Sequence, residues 1–291
     1  MSEERMTLDR MLSATEERTP EKVAVIFGDR RITYRELDAT VARMSAALAG
    51  LGVKAGDKVG ILSRNSPEFV VTLFAAFRLG AIVVPVNFLL KPEEIRFIAQ
   101  DSGMVMMLTQ PAFLKTVAEA RKGLPVLRTV IVTGGEVLTG ADRAFETLLV
   151  GAVALRPGDR PDVGPPLPSV ANPSDTAVIL YTAGTTGKPK GAMLSHRNFL
   201  ANVKSCRGAV EMYPQDVYLD ILPMFHSFAL TTCVFIPFSL GATVVVIESL
   251  QPPKPWLAAM AKHKVTILPA VPPVYAALAK IHGLKGFIVR K

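Results

Sequence analysis

The sequence predicts an α/β fold in which helices pack on both faces of mostly parallel sheets. Three observations carry that reading. Short runs rich in Val and Ile alternate along the chain with stretches whose apolar residues recur at helical spacing. Runs such as Ala81-Ile82-Val83-Val84 and Thr129-Val130-Ile131-Val132 are almost wholly apolar, as strands covered on both faces are. The 291 residues, 49% apolar and 20% charged, supply enough material for a large buried interior.

Taken in order, Val23-Ala24-Val25-Ile26-Phe27, a Gly28-Asp29 turn and Arg31-Ile32-Thr33 read as a β-hairpin. Thr33 and Glu36 form a capping-box pair opening a helix with Leu37, Val41, Met44 and Leu48 on one face, ended by Gly50 and Gly52. Lys58–Leu62 is a strand. Ser66-Pro67-Glu68 starts the next helix, serine as cap and proline in the first turn, and Phe69–Leu79 is apolar enough to be buried on most sides. Gly80 stops it, and Ala81–Pro85 returns as a strand. A helix from Pro92 to Gly103 leads to the strand Val105–Leu108, and a helix over Phe113–Arg121 leads to Thr129–Val132. Six prolines, two glycines and four charges between Arg156 and Pro173 mark a linker or long loop. The expected organisation is a first α/β subdomain over 1–155, a Pro-rich connection over 156–174, and the start of a second α/β subdomain over 175–291.

In the second part, Ala177–Leu180 and Ala192–Leu194 read as strands flanking a loop. Ser195 can cap a helix through Asn198, Leu200, Val203 and Cys206. Asp216–Leu219 leads into Leu222-Pro223-Met224-Phe225-His226. The uncharged stretch Ser227–Ile247 is long enough to span a bilayer. Pro237, Gly241 and the β-branched run Ala242–Ile247 instead favour a buried helix followed by a strand. Trp256–Met260 and Val274–Leu278 read as helices, and Val265–Pro269 as a strand.

The net charge of +8 is scattered, with no Lys/Arg block and no aromatic residues interleaved with a basic patch, which argues against nucleic acid. Peripheral membrane contact stays open, and no oligomeric state is legible. Cys206 and Cys233 lack CxxC spacing, so they make no metal framework, and a reduced, cytoplasmic setting is expected. No metal-ligand set is indicated. The charged Met1–Arg5 segment is unlike a signal peptide.

The chemistry concentrates in Tyr181-Thr-Ala-Gly-Thr-Thr-Gly-Lys-Pro-Lys-Gly191. Its glycines let the backbone turn sharply and leave N–H groups open, while threonine hydroxyls and lysine ammonium groups converge on the same loop. Such a donor set suits a polyphosphate. It is not a Walker A loop: that pattern needs a glycine where Thr182 stands and Ser or Thr where Pro189 stands. The loop closely resembles the signature of the adenylate-forming (acyl-activating, AMP-binding) enzymes, which include acyl-CoA synthetases, luciferases and peptide-synthetase adenylation domains. Thr33-Tyr34-Arg35-Glu36-Leu37, Gly80-Ala81 with Pro85 and Asn87, Leu222-Pro-Met-Phe-His226 and Val271-Pro272-Pro273 are similar to further motifs of that family. The wording is most similar to fatty-acyl-CoA ligases.

The resemblance implies ATP-dependent activation of a carboxylic acid, expected to be a medium- or long-chain fatty acid. An acyl-adenylate would form first and an acyl-CoA thioester second. ATP, Mg²⁺ and coenzyme A are the implied cofactor and co-substrates. By the family's motif Thr182, Gly184, Thr185, Thr186, Gly187 and Lys190 hold the β- and γ-phosphates, and His226 orients the acyl carboxylate. A hydrogen-bonded helix-start histidine is the alternative for His226. His196 is expected to be structural, and His263 and His282 to be solvated. The family's adenine, ribose and catalytic-lysine segments would lie beyond residue 291, so the chain corresponds to the N-terminal portion of that large domain, expected to be inactive alone. Two alternatives stay open: an adenylating enzyme for an aromatic or amino acid, and a non-catalytic nucleotide-binding module.

Overall fold

Strands from distant parts of the chain share sheets, and this interleaving, more than any local element, sets the architecture. A computed structural model describes residues 5–135, 142–150, 169–182 and 189–280. Helix α1 (Leu8–Arg18) precedes the expected hairpin of β1 (Val23–Phe27) and β2 (Arg30–Thr33). Then follow α2 (Tyr34–Gly50), β3 (Lys58–Leu62), α3 (Pro67–Arg78), β4 (Ile82–Pro85), α4 (Pro92–Ser102), β5 (Met104–Thr109), α5 (Leu114–Arg121) and β6 (Thr129–Val132). The described residues continue with β7 (Arg143–Ala144), α6 (Phe145–Val150), β8 (Thr176–Thr182), β9 (Lys190–Ser195), α7 (His196–Ala209) and β10 (Val217–Asp220). Next come α8 (Ser227–Ala229), a π-helical stretch Leu230–Phe235, α9 (Ile236–Leu240), β11 (Thr243–Val246), α10 (Lys254–Lys262) and α11 (Pro272–Ala279).

The caps legible in the sequence form as expected. The Thr33 hydroxyl accepts from Glu36 N–H at 3.2 Å, while the Glu36 carboxylate accepts from Thr33 N–H at 2.7 Å, satisfying two otherwise orphaned helix-start donors. Ser66 accepts from Phe69 N–H at 3.2 Å, and Ser195 from Asn198 N–H at 3.2 Å. Gly103 closes α4 at φ +67°, a left-handed conformation that glycine adopts without Cβ strain.

Seven strands line up as β7-β6-β5-β3-β4-β8-β9 and four as β10-β11-β1-β2. Neighbours are parallel except the β8–β9 and β1–β2 hairpins. Residue alternation assigns the faces. Val59, Ile61, Val83, Met106, Leu108 and Ile131 enter one core together with Val25, Val244, α1, α2, α3 and α9 residues. Leu62, Val84, Met107, Val130 and Val132 point the other way, onto Ile95, Ile98 and Val117 of α4 and α5. The outer face of the small sheet, with Ile26, Leu219 and Val245, meets Trp256 of α10 and Val274 of α11. Five layers result: α4 and α5, the large sheet, a central helical layer, the small sheet, and α10 with α11. The period-2 alternation that splits each strand between two cores is what requires helices on both sides.

Three expectations change. Helix α1 was not anticipated, although Leu8, Met11, Leu12 and Thr15 follow helical spacing and are buried. The strand expected at Val265–Pro269 is reduced to one bridge between Tyr218 and Ile267. There the Thr266 hydroxyl takes the Val217 N–H at 3.0 Å, a donor that a regular ladder would use. Finally, the sheets do not divide at 156–174. β1 and β2 pair into the sheet of β10 and β11, and β8 with β9 extends the sheet built from β3 to β7. The two-part division by sequence therefore does not coincide with the sheet boundaries. The uncharged stretch Ser227–Ile247 is helix followed by strand, and no helix among the described residues is long and apolar enough to cross a membrane.

Candidate functional site

Thr182 ends β8, which pairs in parallel with β4, and His226 follows β10; the carboxyl ends of parallel strands are where open α/β sheets offer crevices. β8 ends at Thr182 and β9 begins at Lys190, and these two residues are direct register partners across the base of the hairpin. Both are exposed. Gly184, Thr185, Thr186 and Gly187 lie outside the described residues. The hairpin brings Thr182 and Lys190 together, so a hydroxyl and an ammonium flank the loop.

The base of this hairpin is anchored by Tyr181. Its hydroxyl donates to the Asp101 carboxylate at 2.5 Å, joining β8 to the end of α4. Burial, and then the Asp101 hydrogen bond, push the phenol well above its ordinary pKa, so it stays a donor. Gly191 makes the ring's position possible. A Cβ there would sit 2.8 Å from Ile179 and 3.1 Å from the Tyr181 ring. Glycine at the register partner of Tyr181 thus serves close packing.

His226 occupies the N-cap position of α8, at the end of the turn that follows β10. Its N–H donates to the Pro223 carbonyl at 3.0 Å, and its carbonyl accepts from Leu230 N–H at 2.9 Å. The imidazole leans on Phe225, 4.3 Å between ring centres, and is otherwise exposed. Partial burial lowers its pKa, so near neutrality it is an uncharged ring able to donate one hydrogen bond and accept another. That is the state suited to orienting a carboxylate without forming an ion pair.

The turn has supports that the sequence did not reveal. Asn65, buried in the β3–α3 loop, donates to the carbonyls of Leu222 at 2.8 Å and Ile247 at 3.2 Å and accepts from Met224 N–H at 2.8 Å. Phe225 meets Phe88 edge-on at 5.3 Å, Phe88 stacks on Phe113 at 5.4 Å, and the Arg64 guanidinium sits 5.9 Å from the Phe113 ring centre. Asn65 was legible only as the residue before a helix cap. Its contacts lie about 160 residues downstream, and no local pattern encodes them. At the end of β10, Asp220 is completely buried beside the Cys233 thiol. Burial holds its carboxyl well above the usual range, so it keeps its proton.

Other candidates resolve simply. His196 is buried, accepts from Leu8 N–H through Nδ1 at 3.2 Å and packs edge-on against Phe77, a structural role as anticipated. His263 is half-buried, and His282 lies outside the described residues. Both cysteines are free. Among the described residues no three His, Cys, Asp or Glu side chains gather as a metal cage.

Comparison with known proteins agrees with this geometry. A family model described as AMP-binding enzyme matches residues 12–289. The chain is similar to 4-coumarate–CoA ligase 5 of Oryza sativa subsp. japonica, 35% identical over 257 residues that make up 87% of this chain and 44% of the relative. It is 34% identical over 261 residues to feruloyl-CoA synthase of Amycolatopsis sp, covering 90% of this chain and 48% of the relative. Among solved structures, an anthranilate CoA ligase in complex with anthranoyl-AMP superposes with a TM-score of 0.84 at 25% identity, over 97% of this chain and 53% of that one. A putative long-chain-fatty-acid CoA ligase from Rhodopseudomonas palustris gives a TM-score of 0.82 at 25% identity, over 96% and 66%. The chain spans about half the length of the curated relatives it matches.

Proposed function

Since the chain belongs to the AMP-binding enzyme family, we propose that it forms the phosphate-holding and acid-orienting side of an AMP-forming acid–CoA ligase. The observation that carries this is the pairing of Thr182 with Lys190 at the base of the β8–β9 hairpin, on a fold whose strand ends also present His226. In the first half-reaction a carboxylate oxygen attacks the α-phosphorus of ATP, the bond to the β-phosphate breaks, and pyrophosphate leaves. In the second, the thiol of coenzyme A attacks the acyl carbonyl, loses its proton, and AMP leaves. Neither step needs a covalent bond to the protein, so its contribution is positioning and charge stabilisation.

In this reading Thr182, Gly184, Thr185, Thr186, Gly187 and Lys190 hold the β- and γ-phosphates through N–H, hydroxyl and ammonium donors. Mg²⁺ fits such a site as an ion carried mainly by phosphate oxygens, its usual mode of binding beside few protein ligands. Neutral His226 hydrogen-bonds the acid's carboxylate.

For the acid itself an aromatic carboxylate is the better supported class. The relatives are named for coumaroyl, feruloyl and hydroxybenzoate substrates, and one solved relative holds anthranoyl-AMP. The aromatic row Phe225–Phe88–Phe113 beside His226 is compatible with a flat ring. A fatty acid is the second reading, favoured by the uncharged stretch after His226 and by the similarity to the Rhodopseudomonas long-chain-fatty-acid CoA ligase.

Two measurements test this. Calorimetric titration of the chain with Mg-ATP should show binding that weakens about tenfold or more in Lys190→Ala, the loss of one charge-assisted hydrogen bond. No binding by the unmodified chain overturns the role given to the loop. Exchange of labelled pyrophosphate into ATP by a full-length protein carrying this chain, run with hydroxycinnamates, benzoates and fatty acids in turn, identifies the acid. Exchange with fatty acids alone overturns the aromatic assignment.

A further inference from the structure

We propose that Asn65 is a positioning residue for His226, fixing the Leu222–His226 turn against the carboxyl edge of the large sheet. The inference rests on the role given to His226 above. Three of the four hydrogen bonds an asparagine amide can make are used here, and all three go to backbone groups of the small sheet's connections. Two of them, to the Leu222 carbonyl and the Met224 N–H, grip the turn four and two residues before the imidazole. The third, to Ile247, grips the chain leaving β11. Asn65 itself follows β3 in the other sheet, next to the Ser66 cap that fixes the start of α3. A rigid mount on one sheet thereby sets the position of a functional side chain borne by the other.

The choice of asparagine is specific. The site needs one acceptor for an N–H and two donors for carbonyls within one short side chain. Aspartate offers only acceptors when ionised, and serine cannot reach three groups. The side chain is 3% exposed, so water cannot replace it cheaply. The aromatic row supports the same turn, with Phe88 packed edge-on against Phe225 while Asn65 holds the backbone. Without Asn65 the Leu222 carbonyl and the Met224 N–H lose the side-chain partner that ties the turn to the loop after β3.

The chain has four histidines, so imidazole resonances are few, and His226→Gln identifies the one of interest. In Asn65→Ala the His226 ring signals should shift and its titration midpoint should rise toward the ordinary histidine value as the ring leaves Phe225. The buried His196 signals should hold still, reporting an intact fold. Unchanged His226 signals in folded Asn65→Ala overturn the proposal. If the loss of His196 signals shows that this variant does not fold, Asn65→Asp decides. Its protonated carboxyl accepts from Met224 and donates to one carbonyl, whereas its carboxylate faces two carbonyl oxygens. Its His226 signals should therefore match the unmodified chain in mild acid and depart above neutrality, and a match throughout refutes the role. Where acid-dependent pyrophosphate exchange is measurable, Asn65→Ala should slow kcat on the order of 100-fold, the usual cost of a misplacement of about 1 Å. KM for ATP should stay near its original value, and a loss confined to KM for ATP counts against the proposal. Absence of exchange in the unmodified chain is the result expected of one that spans about half the length of its relatives, and the histidine resonances then decide the role of Asn65.

Discussion

Two histidines thirty residues apart meet opposite environments, and burial decides their chemistry. His226 stands at a turn end, uncharged and reachable, whereas His196 is enclosed between α1 and α3 with its Nδ1 committed to the Leu8 N–H. Burial lowers the pKa of His196 to about 4, with Asp9 and Asp175 opposing the shift. An unfolded histidine binds its proton near 6.5, so between those values the unfolded chain holds more protons. Stability is therefore complete above about pH 6.5 and falls as pH drops toward 4, by roughly 3 kcal/mol for the full shift. In His196→Asn, which keeps an acceptor near the Leu8 N–H, urea midpoints measured across this window should lose most of that slope. An unchanged slope would show that other groups control acid unfolding. Asn65 and Tyr181 teach the complementary lesson at the same scale: an ordinary polar residue becomes important through what it bonds, at distances of 2.5 to 3.2 Å across remote chain segments.

Elements with local punctuation were the most legible. The start of α2 needs only Thr33 and Glu36, and both reciprocal hydrogen bonds are present. Thr33→Ala should cost about 1 kcal/mol in urea unfolding, the usual worth of an N-cap. A loss below a few tenths would mean that packing of Tyr34, whose hydroxyl donates to the Ala242 carbonyl at 2.6 Å, sets the helix start instead. Helix α1 lacks such a signal: Thr7 makes no side-chain cap and turns its hydroxyl to Asp9 at 2.6 Å. Its formation depends on burying Leu8 and Leu12 against the central core, which only the assembled fold provides. The π-helical turn Leu230–Phe235 is likewise unsignalled, and its buried Cys233 packs beside Asp220.

For the whole molecule, interleaving has a mechanical consequence. β1 obtains its parallel partner from β11, more than 200 residues away, while β8 lies against β4. A segment covering 1–155 contains β1 and β2 without β10 and β11, leaving the central core open on that side. Expressed separately, 1–155 and 175–291 should each lack a cooperative thermal transition by circular dichroism. A cooperative melt of 1–155 alone would show that the large sheet is self-sufficient. Long-range parallel pairing of this kind also predicts slow folding, because loop closure precedes any reward from contacts.

Composition and local pattern determined the α/β class, the order of most strands and helices, the caps, and the Thr/Gly/Lys segment on which the phosphate-binding proposal rests. These depend on periodicity and neighbours within a few residues, which a sequence displays directly. Only the tertiary structure decided which strands share a sheet, that the sheets interleave the parts of the chain before and after residues 156–174, and what holds His226 in place. Strand pairing and the reach of a buried side chain are settled by burial and hydrogen-bond satisfaction summed over the assembled core, so residues 160 apart can be neighbours with no trace in either one's local sequence.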